Sequence, residues 1–152
     1  MERQTGKRAN GQSAGEGHAT ELERQMLWRK AQDLAEEAAA FAVTLPKDVV
    51  AEPIARQLVR AAGSVAANIA EGYGRFSQAA YRNHLSIARG SAFEVQSWLD
   101  LLSRRGYLSE ESSNRLKFKC IEVQKLLTVR MKSLGEGKTY AVREESNFEY
   151  EV

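Results

Sequence analysis

The stretch that most constrains this chain is Arg60 to Ser91, RAAGSVAANIAEGYGRFSQAAYRNHLSIARGS. Two helical patterns meet there at a glycine corner, Ala70-Glu71-Gly72-Tyr73-Gly74-Arg75-Phe76-Ser77, and both are lined with Ala, Gly and Ser where most helices carry Leu. Small side chains let helix backbones approach closely, so the segment predicts a tight helical hairpin. At 100° per residue Ile54, Leu58, Ala61, Val65 and Ile69 share one face, while Val59, Gly63, Ala66 and Ala70 lie nearly opposite. That second apolar face predicts a helix covered on more than one side. A polar line of Gln57, Ser64, Asn68 and Glu71 runs beside the core face. Gly72 and Gly74 flank Tyr73 and predict a helix end through a left-handed glycine, with Ser77 as N-cap of the next helix. A Gly-x-Gly pair also occurs in phosphate cradles, but here no strand precedes it and no Gly-Lys-Ser/Thr follows.

The remaining helices follow from spacing and caps. Thr20-Glu21-Leu22-Glu23 has the form of a capping box and predicts the start of a first helix. Its seam is Leu27, Ala31, Leu34, Ala38, Phe41 and Leu45, ended by Pro46. The second helix starts near Pro53, a residue suited to a first turn. The third spans about Gln78 to Ser103 on a seam of Tyr81, Leu85, Ala88, Ala92, Val95, Leu99 and Leu102, with the small row Ser86, Gly90 and Ser97 across it. Arg104-Arg105-Gly106 closes that helix, and Ser109-Glu110-Glu111 opens the fourth. The fourth helix carries a main seam of Leu116, Cys120, Val123, Leu127, Met131 and Leu134. A second apolar set of Phe118, Ile121 and Val129 points away from it. Short connections between four helices predict an all-α, antiparallel up-down-up-down four-helix bundle over 20–135. Residues 1–19 read as a disordered N-terminal extension and 136–152 as an acidic flexible C-terminal tail, mobile or used for docking.

The run AAGSVAANIAEGYGRFS, with Tyr81 and LSIARGSAFEV after it, resembles the signature of the intervening-sequence proteins found in insertions of bacterial 23S ribosomal RNA genes. LWRKAQDLA and LPKD resemble that family's first helix and its exit, and RRGYLSEE its third loop. The accessory variability determinant of diversity-generating retroelements is a relative of this family. The resemblance implies a small bundle that assembles into a ring-like homopentamer, and in the retroelement branch a protein that binds nucleic acid and docks a reverse transcriptase. It is the resemblance, and not the helical period, that supplies the number five.

Composition narrows the function classes. The single cysteine, Cys120, sits on an apolar seam and cannot form an internal disulfide; with only His18 and His84 beside it, neither a zinc site nor a thiol nucleophile is indicated. No cofactor is expected. No apolar run approaches the ~20 residues of a membrane span, and the first residues lack the apolar core of a secretory signal, which leaves a cytoplasmic protein as the expectation.

The charge is unevenly distributed. Arg104, Arg105, Arg115, Lys117, Lys119, Lys125, Arg130 and Lys132 face only Glu110, Glu111 and Glu122 within 104–134, whereas 21–45 carry five anions against three cations. A basic helix repeated around an oligomer would attract RNA or DNA through the phosphate backbone, without sequence readout. The other reading is a protein-interaction bundle with no nucleic-acid role, in which those cations pair with the acidic first helix of a neighbouring subunit. Ser64, Asn68, Glu71, Gly72, Tyr73 and Gly74 are read as a structural motif, the polar ones bonding the corner or an arginine such as Arg60 or Arg75. Gly90, Ser97, Phe118, Ile121 and Val129 are read as the subunit interface. Catalysis is the weakest class: beside Glu71 and Glu94 neither a second catalytic group nor a substrate pocket is implied, and Arg82 and His84, the pair a toxin-type ribonuclease would need, point about 200° apart.

Overall fold

The computed structural model describes residues 21–135, apart from the side chains of Glu23 and Arg24. Five helices occur among these residues: α1 (Glu21–Arg24), α2 (Met26–Ala42), α3 (Ala51–Tyr73), α4 (Gln78–Arg104) and α5 (Glu110–Leu134). Each long helix packs on the next and α5 closes back on α2, which makes the all-α up-down-up-down four-helix bundle. The terminal segments 1–19 and 136–152 lie outside the described residues, as does Thr20 of the capping box.

The α4 seam is buried at every predicted position, from Tyr81 to Leu102. Along α5, Leu116, Cys120, Val123 and Leu127 are buried, with Met131 and Leu134 packed against them. Burial also pushes the Cys120 thiol up to about 12, and its Sγ donates to the Ala92 carbonyl at 3.0 Å. That is a packing thiol, without thiolate chemistry.

The first predicted helix is broken. Gln25 adopts an extended conformation (φ −73°, ψ 113°), so α1 is a single turn set off from α2. Leu22 is the one large apolar residue of α1, too little to hold the turn in register with the α2 seam. At its other end α2 stops at Ala42, ahead of Pro46, with the Thr44 hydroxyl donating to the Phe41 carbonyl at 2.7 Å.

α3 begins at Ala51, and its N-terminus is capped by Asp48, whose Oδ1 accepts from the backbone N–H of Val50 (2.9 Å) and Ala51 (2.6 Å). Those two backbone donors, followed by the Tyr107 hydroxyl, hold the Asp48 carboxyl below its ordinary value. The Tyr107–Asp48 bond of 3.2 Å ties the α4–α5 connection to the α2–α3 connection at one end of the bundle. There Gly106, at φ 78°, ends α4: its N–H reaches Ser103 O and the Tyr107 N–H reaches Leu102 O, both at 3.0 Å.

The glycine corner differs from expectation. α3 runs on through Gly72 and Tyr73, and its C-cap Gly74 has φ −76°, so neither glycine is left-handed. Gly72 is required for space instead. A Cβ there would lie 2.6 Å from His84 Cβ and 3.0 Å from the Tyr81 ring, because α4 crosses directly over it. Gly74 meets only ordinary contacts, and Ser77 caps α4 as predicted, accepting from Ala80 N–H at 3.1 Å. The expected covering of the α3 second face is partial: Ala66 is buried, Ala70 half-buried, and Val59 and Gly63 are exposed.

Gly72→Ala should therefore destabilise the bundle by about 1–3 kcal/mol through overpacking of a rigid site. Gly63→Ala, whose added Cβ would meet nothing within 4 Å, should stabilise it by roughly 0.5–1 kcal/mol through helix propensity. Thermal melts of the two variants moving in the same direction would contradict this assignment.

Candidate functional site

Three features carry the predicted site residues: a polar ladder between α3 and α4, an ion-paired seam between α2 and α5, and the outward face of α4 and α5.

The ladder starts at Ser64 and Ser91, whose hydroxyls are 3.0 Å apart. Asn68 Nδ2 donates to Ser64 O (2.8 Å) and Ser64 Oγ (3.1 Å), and Asn68 Oδ1 lies 3.3 Å from His84 Nδ1. His84 Nε2 is 3.9 Å from Glu71 Oε1, which accepts from Arg75 at 2.6 Å. Of the two arginines named for this motif, Arg75 is the one that pairs with Glu71, while Ser64 and Asn68 bond neighbouring side chains and the Ser64 carbonyl rather than the corner. His84, alone on its helix by sequence, joins the ladder across the seam. Tyr73 packs edge-on against Tyr81 with ring centroids 6.3 Å apart.

Arg82 points elsewhere, its guanidinium lying where a Cβ on Gly135 would be 3.0 Å away. The two ribonuclease candidates thus diverge as predicted. Glu94 binds Arg60 and accepts from Trp98 Nε1 at 3.2 Å. Since Glu71 is level with His84, ten residues before Glu94, the two carboxylates stand about 15 Å apart along the helices. They form no acid–base pair.

The basic residues are partly neutralised at home. Glu37 of α2 receives Lys119 at 2.6 Å and Arg115 at 2.9 Å, while Lys30 of α2 reaches Glu122 at 3.1 Å. Lys117 pairs with Asp100 at 2.5 Å, and the Arg130 guanidinium lies 5.7 Å from the centre of the Tyr81 ring. The acidic first helix thus meets the basic fourth helix within one chain. By contrast, Arg104, Arg105 and Lys125 form no ion pair among the described residues; Arg105 adds only a favourable field at Asp48. The eight cations therefore do not converge on one surface. Among the described residues no metal-binding cluster occurs, and no helix is long and apolar enough to cross a membrane.

The outward sides of α4 and α5 carry several exposed apolar residues, with Lys125 among them. Phe118, Ile121 and Val129 are 70%, 36% and 65% exposed, and Phe93 and Leu101 of α4 are 46% and 37% exposed. The Asp100–Lys117 and Gln96–Gln124 bonds set α4 and α5 in antiparallel register, which places Ser97 level with Ile121. Nothing lies within 4 Å of a Cβ built on Gly90. The five residues predicted as interface thus lie on solvent-facing sides of two neighbouring helices. Sequence reasoning missed Phe93, although its spacing with Gly90 and Ser97 carried the signal. It also missed Glu37, which no local pattern marks.

The Glu37 clamp has a pH signature. Burial pushes its carboxyl up, but the hydrogen bonds and positive charges of Lys119 and Arg115 outweigh this and hold it below 4.5. A depressed carboxyl contributes stability above its unfolded value and loses it as pH falls through the folded value. Wild type should exceed Glu37→Gln by about 0.5–1 kcal/mol at neutral pH. The difference should fade below pH 4.5. Urea unfolding of both proteins across that range checks it; a constant difference would contradict the clamp.

Residues 23–129 match the family described as 23S rRNA-intervening sequence protein, and the chain belongs to that family. It is also similar to a solved structure from Bacteroides thetaiotaomicron VPI-5482, a protein of unknown function from the S23 ribosomal protein family. That likeness has 30% identity and a TM-score of 0.64 over 70% of this chain and 98% of the other. None of the curated proteins compared with the chain matches it.

Proposed function

We propose that this member of the 23S rRNA-intervening sequence family works without catalysis, as a helical bundle that assembles with copies of itself and offers a docking surface to a partner. The observation that carries this reading is the exposure of large apolar side chains on two neighbouring helices: Phe118 and Val129, each more than half exposed, with Ile121 on α5, and Phe93 and Leu101 on α4. Several large apolar side chains exposed on neighbouring elements point to an interaction site. The small residues Gly90 and Ser97, on either side of Phe93 along α4, leave room for a second helix to approach. A ring of five subunits follows the family resemblance. The ladder and the Glu37 clamp are read as supports of the fold.

A second reading, binding of a nucleic-acid backbone, is favoured by Arg104, Arg105 and Lys125, which have no ion-pair partner among the described residues, and by the net charge of 21–135, where 17 cations face 13 anions. Repetition around an oligomer would sum these charges. In the same reading a reverse transcriptase would be the protein partner.

Ile121→Glu and Phe118→Glu should convert the assembly to a 17.0 kDa species with unchanged helical circular dichroism, because a buried unpaired carboxylate at an interface costs several kcal/mol. Light scattering that shows the wild-type mass in both variants would place the interface elsewhere. For the second reading, RNA and duplex DNA should bind with affinity that falls steeply with salt, and the double charge reversal Arg104→Glu/Arg105→Glu should lower the salt slope by roughly two. Absence of binding at low salt would leave the protein-interaction reading alone.

A further inference from the structure

We propose that residues 136–152 of this chain dock in the groove between α2 and α3 of their own subunit. The groove measures about 860 Å³; Val43, Leu45 and Val59 are among its apolar lining, and its charged lining is Lys47, Arg56 and Arg60 against the single acid Glu52. Val43 is 84% and Val59 41% exposed, so apolar surface stands open there. The groove lies on a different pair of helices from the exposed apolar residues of α4 and α5.

The chemistry of the segment matches. Residues 136–152 hold Glu136, Glu144, Glu145, Glu149 and Glu151 against Lys138 and Arg143, so their net charge of −3 opposes the basic lining. The run Phe148-Glu149-Tyr150-Glu151-Val152 alternates apolar and acidic residues. In extended form it presents Phe148, Tyr150 and Val152 on one side and the two carboxylates on the other. The apolar side suits the apolar lining and the acidic side the cations. Arg56 and Arg60 already meet Glu52 and Glu94, but both arginines are more than half exposed in those pairs. Each guanidinium has five N–H donors, enough to accept a further carboxylate.

The reach is sufficient. The segment starts after Gly135, which lies against Arg82 at the corner end of the bundle, where α3 ends at Tyr73. From Tyr73 back to Arg60, at the near end of the groove, is about 20 Å along α3. From Gly135 to Phe148 an extended chain covers roughly 43 Å, which leaves about half for crossing the bundle end.

The test uses the full chain carrying Asn147→Cys with a nitroxide label; Cys120 is fully buried and stays unlabelled. In methyl NMR spectra the Val43 and Val59 signals should be lost and the Val129 signals retained. Val59→Glu, at an exposed position, should restore the Val43 signal while circular dichroism stays unchanged. Salt at 1 M should weaken the effect by screening those cations. Unbroadened Val43 and Val59 signals would overturn the proposal. So would loss at Val129 in their place, or broadening seen only when label and methyl groups sit on different molecules of a mixed sample.

Discussion

Much of the bundle depends on how closely α3 and α4 approach near Gly72. A single added Cβ at Gly72 would fall 2.6 Å from His84 Cβ, well inside van der Waals contact. Such an approach selects small side chains on both helices. Ala61, Ala62, Ala66, Ala88 and Ala92 are all buried, and large apolar residues such as Leu58, Ile69, Leu85 and Leu99 fill the space between the closest layers. It also explains why the polar side chains of this seam form a ladder. At short range Ser64, Ser91, Asn68 and His84 reach one another directly, without bridging groups, while the buried Tyr81 hydroxyl at the same crossing has no hydrogen-bond partner among the described residues.

The α2–α5 seam is held differently. Here an acidic helix meets a basic one, and Glu37 gathers two cations that are four residues apart on α5. Exposed pairs of this kind contribute little each. Their larger effect is on what remains available: with Arg115, Lys117 and Lys119 engaged at home, the uneven charge of the sequence leaves a more modest surplus on the surface. Apolar side chains, in contrast, are left conspicuously open on α4 and α5. The weight of the functional reading therefore falls on assembly and docking, with nucleic-acid binding second.

Much of the fold was legible because it rests on period alone. The α4 seam repeats every three or four residues and is buried at each position, and Ser77 and Ser109 cap the helices they precede. Gly72 was legible as important and misread in its reason, since a glycine near a helix end is equally consistent with a left-handed cap and with a close crossing; only the position of Tyr81 and His84 separates the two. Asp48 and Glu37 were not legible as partners. Asp48 caps across a turn and reaches Tyr107, 59 residues away, and Glu37 meets Arg115 over 78 residues, distances at which one sequence holds no pairing signal. The break at Gln25 escaped notice because a capping box marks where a helix can start and says nothing about whether the turn it starts has enough apolar surface to stay joined.

The claim at the centre of this account is that the open α4–α5 face exists to be covered by another copy. Native mass spectrometry of the unmodified protein over a dilution series tests it most directly. The account predicts a closed assembly at a whole multiple of 17.0 kDa that persists on dilution. A 17.0 kDa monomer at every concentration would contradict it.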